Sequence, residues 1–319
     1  MTTTSTPLRA GRLRAALPGA LTGAAAGRPR ARSRGSLVPW LFLAVPLVLL
    51  FTFTYVPVGN MVWYSLTTWN GLSKTKEYVG LDNYVAVFTR PELFKVFFVS
   101  LYYFAASFIQ MALALYFATV LSFSTRFRNL FKGILFFPYL INGVAIGFTF
   151  LYFFRPGGTL DAVLSAFGLG TLQQQWLGNP DLANVSLAGT SVWRYMGLNF
   201  VLFLGAIQSI NPHLYEASEL DGANRWHQFR YIILPSIKPI VSLSFILAVS
   251  GSLAVFEIPF IMTGGANGTK TFVIQTVDMA FEFRKVGLAS SMAVVLLLIV
   301  LLITWIQRRV VPDEKVNLT

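Results

Sequence analysis

Residues 216–239 read EASELDGANRWHQFRYIILPSIKP, and the reading of this stretch decides the fold. It is an island of polarity. Charge-free runs lie on either side, at 195–215 and 239–256, while Glu216, Glu219, Asp221, Arg225 and Arg230 fall inside it. Just upstream, Asn211 is a good helix N-cap, because its side-chain oxygen can take a free backbone N–H, and Pro212 suits the first helical position, where no N–H is needed. Gly222 suits a helix end or a sharp turn. A second short helical stretch is expected over 223–233, ending near Pro235. Asp221 and Arg225 stand four apart. The apolar Leu214, Leu220, Trp226, Phe229, Ile232 and Ile233 are too many for a passive tether. The segment reads as a helix–turn–helix between two long apolar elements.

Further charge-free gaps lie outward from it, at 35–73, 96–125, 133–154 and 286–307. A bilayer core is crossed by roughly 20 apolar residues in a helix. Six spans are therefore expected, at about 37–60, 97–122, 133–154, 188–209, 239–262 and 287–307. The runs are apolar on all faces, so they are spans rather than surface helices. They lack the two-residue alternation of barrel strands, and a helix satisfies its own backbone in hydrocarbon. Composition agrees. Hydrophobic residues make up 55% and charged residues 12%, about half the charged share of a soluble domain. That excludes a soluble enzyme, a disordered chain and a coiled coil. The expected fold class is an all-α membrane protein with six transmembrane helices. The chain has no Cys and only two His, His213 and His227. Disulfides, thiolate catalysis, iron–sulfur clusters and His-rich or Cys-based metal sites are excluded.

Orientation follows from Lys and Arg. Segment 1–36, the loops 123–132 and 210–238, and the C-terminal tail hold sixteen of them, against seven in 61–93, 155–187 and 263–286. The excess puts both termini in the cytoplasm. It also explains the net charge of +12 without nucleic acid. Segment 1–36 has seven Arg and no acidic residue, and reads as a disordered basic cytoplasmic tail. A transit peptide shares that composition. A cleaved secretory signal does not fit, since the first span is long and no small-residue cleavage site clearly follows it. The expected organisation is this tail, a six-helix domain over 37–310 with the loop 210–238, and a cytoplasmic tail at 311–319.

On periodicity alone the loop has two readings, an interfacial hairpin packed on its own spans or a docking element for a cytoplasmic partner. Its wording separates them. Glu216-Ala217-Ser218, Asp221-Gly222-Ala223 and Ile233-Leu234-Pro235 resemble the EAA signature of permease subunits in binding-protein-dependent ABC importers, at the right spacing on an inward loop. Ser218 replaces the third Ala of that pattern. Ser is small, so close approach of a partner should survive. Three further segments resemble the carbohydrate branch: YVPVGNMVWYSLTTWNG at 55–71, YVGLDNYVAVF at 78–88 and TGGANGTKT at 263–271. In the last, Ala266 and Asn267 stand where the family usually has a third Gly and a Pro.

The resemblance spans about residues 38–310. It implies the type I ABC importer permease fold in a bacterial inner membrane, and a sugar substrate such as a di- or oligosaccharide. It also implies a second, non-identical permease completing the pathway, two ATPase subunits below and an extracytoplasmic solute-binding protein above. The chain would bind no cofactor, with ATP and Mg held by the ATPase partner. Glu216, Ala217, Ser218, Asp221, Gly222, Ala223, Leu234 and Pro235 would form the ATPase-coupling element, with Glu216 accepting charge-assisted hydrogen bonds from a partner Arg. Gly222 would either take a left-handed conformation or touch the ATPase closely.

Glu257 is the only acid inside an expected span, where carboxylates are costly and functional by default. It either pairs with Arg194 or water near the outer interface, or receives a sugar hydroxyl in the pathway. Further pathway candidates are Tyr139, Asn142, Trp193, Tyr195 and Asn199, whose amides and rings suit sugar hydroxyls and apolar sugar faces. Pro138 and Pro259 break helical hydrogen bonds, as tolerated kinks or as bends shaping a cavity. GGANGTKT is no phosphate loop, because Thr269 separates Gly268 from Lys270. A metal role for His213 and His227 finds no further ligands. The rival reading, a stand-alone secondary transporter or channel for a small polar solute, calls for several buried ionisable groups and leaves the 216–239 stretch unexplained. A membrane enzyme calls for a catalytic constellation that the spans lack.

Overall fold

The computed structural model describes residues 37–123 and 127–310. The expected tails, 1–36 and 311–319, lie outside them. The chain falls into two compact units, Met1–Phe51 and Thr52–Thr319. In the first, α1 (Leu37–Leu50) is apolar throughout, with Pro39 in its first turn and Pro46 inside it. A π turn, Phe51–Tyr55, follows in sequence.

The second unit runs through α2 (Val56–Ser65), α3 (Asp82–Thr89), α4 (Pro91–Phe94), α5 (Ser100–Ser122), α6 (Arg128–Leu140), α7 (Gly143–Phe154), α8 (Thr159–Ala166) and α9 (Pro180–Gln208). It continues with α10 (Pro212–Leu220), α11 (Arg225–Gln228), α12 (Leu234–Leu253), α13 (Glu257–Thr263), α14 (Phe272–Val277) and α15 (Val286–Val310). The one β-bridge among the described residues pairs Thr67 with Tyr78.

Pairing of α5 with α9 builds the main core. Ala114 and Ala118 are fully buried and four apart, so α5 presents a smooth stripe to Phe200, Phe203, Leu204 and Ile207 of α9. Small residues let membrane helices approach closely, and the contact energy is dispersion rather than water release. Ile233 and Ile237 complete this cluster. A second cluster joins Val87 and Leu93 to Phe272, Leu288, Met292 and Val295. Ala118→Leu is expected to overpack the α5–α9 seam and lower stability by about 1–3 kcal/mol, measured as a reduced unfolding temperature in detergent. An unchanged midpoint would refute tight packing at that seam.

By length and apolarity, four helices among the described residues can cross a membrane: Pro39–Ser65, Pro91–Ser122, Arg225–Thr263 and Val286–Arg309. The expected third span, 133–154, is instead two helices, α6 and α7, bent by 98°. Pro138 lies in the last turn of α6, Ile141 is extended, and the Asn142 side chain accepts from Val144 N at 2.9 Å to start α7 afresh. Counted as one, this bent pair makes five. The expected fourth span, 188–209, falls on α9, which begins at Pro180 under an Asn179 cap and is 29 residues long. It carries Asn184, Ser186, Thr190, Ser191 and Asn199 on buried faces, so it is too polar to qualify by the same measure. The expected fifth span, 239–262, starts earlier and breaks at 254–256 between α12 and α13. Pro259 falls in the first turn of α13, where its missing N–H leaves no bond unmade.

Candidate functional site

Two features of the second unit carry chemistry: the loop centred on α10, and a cavity between α5, α9, α12 and α13.

The loop begins as its residues predict. Asn211 accepts from His213 N at 3.0 Å, and Pro212 opens α10. The helix closes in a Schellman turn: Gly222 N donates to the Glu219 carbonyl (3.0 Å), and Ala223 N donates to the Ser218 carbonyl (2.9 Å). The turn requires a left-handed residue, and Gly222 supplies it with φ of 80°. A Cβ there would meet none of the described residues within 4 Å. Of the two readings left open for Gly222, the backbone one holds in this chain. Asn224 then accepts from His227 N and starts α11. The second helical stretch was expected to stop near Pro235. It continues, through a π turn at Phe229–Ile233, into α12. The wider turn just before Pro235 accommodates a residue with no N–H to give.

Glu216, Ala217, Asp221 and Gly222 are exposed, as is Pro235. The Glu216 carboxylate lies 3.0 Å from His213 Nδ1. Leu220 is 90% exposed, the barest large apolar side chain of the loop. Ser218 does something not anticipated for a small substitute. Its hydroxyl donates to the Tyr215 carbonyl and accepts from Gln228 Nε2 at 3.1 Å. It therefore faces inward and ties α10 to α11. Gln228, which sequence reasoning passed over, is buried and also reaches Glu219. Tyr215 packs against the main core, and burial pushes its phenol pKa up.

The cavity has a volume of about 530 Å³. Glu257, Tyr195 and Asn199, all expected in the pathway, line it; Asn142, Tyr139 and Trp193 do not. Asn142 is spent on capping α7. The Tyr139 ring stands 6.5 Å from that of Tyr195. Trp193 packs on Phe150, ring centres 5.1 Å apart. The lining also includes Tyr103, Ser107, Gln110, Ser191, Ser244 and Ser252. Each is a polar residue in an apolar run, and that contrast was the available signal. Tyr103 Oη and Ser244 Oγ are buried without a hydrogen-bond partner among the described residues.

Glu257 pairs with Arg194, whose Nη1 donates to Oε2 at 2.7 Å. This is one of the two alternatives weighed for it. The pair crosses from α9 to α13 and abuts the start of α7, where a Cβ on Gly143 would overlap both the carboxylate and the guanidinium. The Arg194 guanidinium also lies 4.9 Å over the Tyr195 ring, a favourable cation–π contact.

Comparison with known proteins bears on both features. Residues 110–316 match the family described as the binding-protein-dependent transport system inner membrane component. A probable ABC transporter permease protein of Bacillus subtilis, YurN, is 32% identical over 289 residues, covering 89% of this chain and 99% of that protein. The multiple sugar-binding transport system permease protein MsmF of Streptococcus mutans is 30% identical, covering 84% of this chain and 93% of that protein. A chain of a bacterial alginate ABC transporter, solved with an alginate pentasaccharide-bound periplasmic protein, shares the fold with a TM-score of 0.76 at 20% identity, covering 85% of this chain and 93% of that one. With the loop and all of the cavity wall but its first turns on α5 inside the matched region, the chain belongs to the binding-protein-dependent transport system inner membrane components and is a membrane-spanning permease subunit of an ABC transporter.

Proposed function

We propose that the chain is one of two non-identical permeases in an ATP-driven importer of a sugar, a di- or oligosaccharide. The observation that carries the reading is α10: a capped helix on the loop between α9 and α12, with Glu216, Ala217 and Leu220 bare to a partner. Kinship with a multiple-sugar permease supports the substrate class. In this reading α9 is also a span, the fourth in chain order, and brings the total to six; both termini lie in the cytoplasm of a bacterial cell, and the loop seats on a separate ATPase that holds ATP and Mg. A solute-binding protein delivers the sugar from outside. ATP-driven closure of the ATPase pair moves α10, and the cavity opens alternately to the two sides.

The test is reconstitution in liposomes with the partner permease, the ATPase and the binding protein, the sugar being chosen by a ligand screen on the binding protein. Uptake should need ATP and the ATPase subunit; uptake that persists without that subunit overturns the reading. Glu216→Ala should weaken ATPase docking by about 1.5–3 kcal/mol, the range for a hydrogen bond to a charged group, measured by ATPase retention during purification. Full retention would remove Glu216 from the interface.

A further inference from the structure

We propose that the Arg194–Glu257 pair sets the electrical character of the cavity, so that its solute is an uncharged polyhydroxyl compound while uronates and phosphorylated sugars are turned away. The inference rests on the reading above that the cavity lies on the solute's path. Among the described residues, Arg194 and Glu257 are the only charged ones in the lining, and at 2.7 Å they cancel at a distance. Up close they are unequal. The Arg194 side chain is 13% exposed and the Glu257 side chain 50%, and the Tyr195 ring covers the guanidinium further. The cation is engaged and screened, and the carboxylate is what an entering solute meets.

An anion would approach that carboxylate and find no free cation in the lining, in a low-dielectric site where the repulsion is weakly screened. It would also have to shed its hydration there, which is the dominant cost for a charge at membrane depth. A neutral polyol loses far less. Its hydroxyls find an acceptor in Glu257 and both kinds of partner in Asn199. The buried, unpartnered hydroxyls of Tyr103 and Ser244 offer further donors and acceptors at the wall. Such orphaned groups are expected where a polar ligand completes them.

The chain has no cysteine, so one introduced thiol is its only thiol and can report the local potential. Ala248 lines the cavity and is half-buried. In Ala248→Cys, within the full transporter in nanodiscs, the thiol is titrated with three methanethiosulfonates: neutral hydroxyethyl, anionic sulfonatoethyl and cationic trimethylammonioethyl. Each forms a mixed disulfide and releases methanesulfinate, followed by intact mass of this chain. With the pair present, the anionic reagent should react about tenfold more slowly than the neutral one. Adding Glu257→Gln should accelerate the anionic reagent about tenfold relative to the neutral. Adding Arg194→Gln should accelerate the cationic reagent by a similar factor. That second variant leaves a half-exposed carboxylate and keeps the test available where Glu257→Gln inserts poorly. Rate ratios unchanged in both variants overturn the inference. Sugar uptake unaffected by full modification of the introduced thiol would instead sink the pathway reading, whatever the ratios.

Discussion

Gly222→Val is expected to reduce sugar uptake more than tenfold while leaving the amount of protein in the membrane unchanged. The cause is the backbone. Gly222 holds φ of 80°, and a left-handed conformation costs an L residue about 1–2 kcal/mol, with β-branched residues worst placed. The strain is relieved by opening the two bonds that close α10, from Gly222 N and Ala223 N. A nine-residue helix has little cooperativity with which to resist. The spans do not depend on this turn, so insertion survives. Gly222→Asp separates two causes, because Asp tolerates the left-handed region better. Loss of function in Val alone identifies the turn. Loss in both identifies a partner surface close to the open space beside Gly222. Membrane level, ATPase co-purification and uptake are measured together. Normal retention and uptake in both variants would remove the coupling role of the loop.

Glu257→Ala is expected to lower the yield of assembled complex as well as transport. Taken as an isolated pathway carboxylate, Glu257 would matter for flux alone. The structure makes it the counter-ion of a mostly buried Arg194, whose Nε has no partner among the described residues. Stripping one member of a buried pair costs about 3–5 kcal/mol, because the other charge stays buried. The half-exposed carboxylate puts the effect toward the low end of that range. Arg194→Leu combined with Glu257→Ala removes both charges and should restore yield but not transport. The readout is complex recovered by size-exclusion chromatography beside uptake per complex. Wild-type yield in the single variant would show that Arg194 finds another partner.

The helices and the loop were legible because both are written in local chemistry. Apolar runs marked α5, α12 and α15, and Asn211, Pro212 and Gly222 marked the two ends of α10. Breaks inside apolar runs were not. The bend at 141–142 depends on Asn142 capping rather than pairing elsewhere, and an Asn in hydrocarbon advertises both equally. The start of α9 was missed for the opposite reason. Asn179-Pro180 is a readable N-terminus, but Asp181 and Arg194 lie inside α9, so its charge-free run begins only at 195. Arg194 and Glu257 are 63 positions apart, so their pairing could be named as an alternative but not chosen. The role of Ser218 was hidden because its partner Gln228 belongs to the next helix, and only the turn at Gly222 brings the two together.

The unbroken passage of α11 through the π turn into α12 has a mechanical consequence. From Arg225 to Leu253 the backbone is a single shaft of about 43 Å at 1.5 Å per residue. It carries loop residues at one end, and Ser244, Gly251 and Ser252 of the cavity wall toward the other. No hinge loop intervenes to absorb a displacement. A tilt of about 10° about the loop end would sweep the far end sideways by about 7 Å, comparable to the width of a sugar ring. Rotation of the same shaft about its own axis would carry the serine face away from the solute. The π turn and Pro239, which leaves a helical bond unmade, are the places along it where the shaft could yield, so under the proposed coupling the stiffness of residues 229–239 sets how faithfully torque at the loop becomes movement at the cavity.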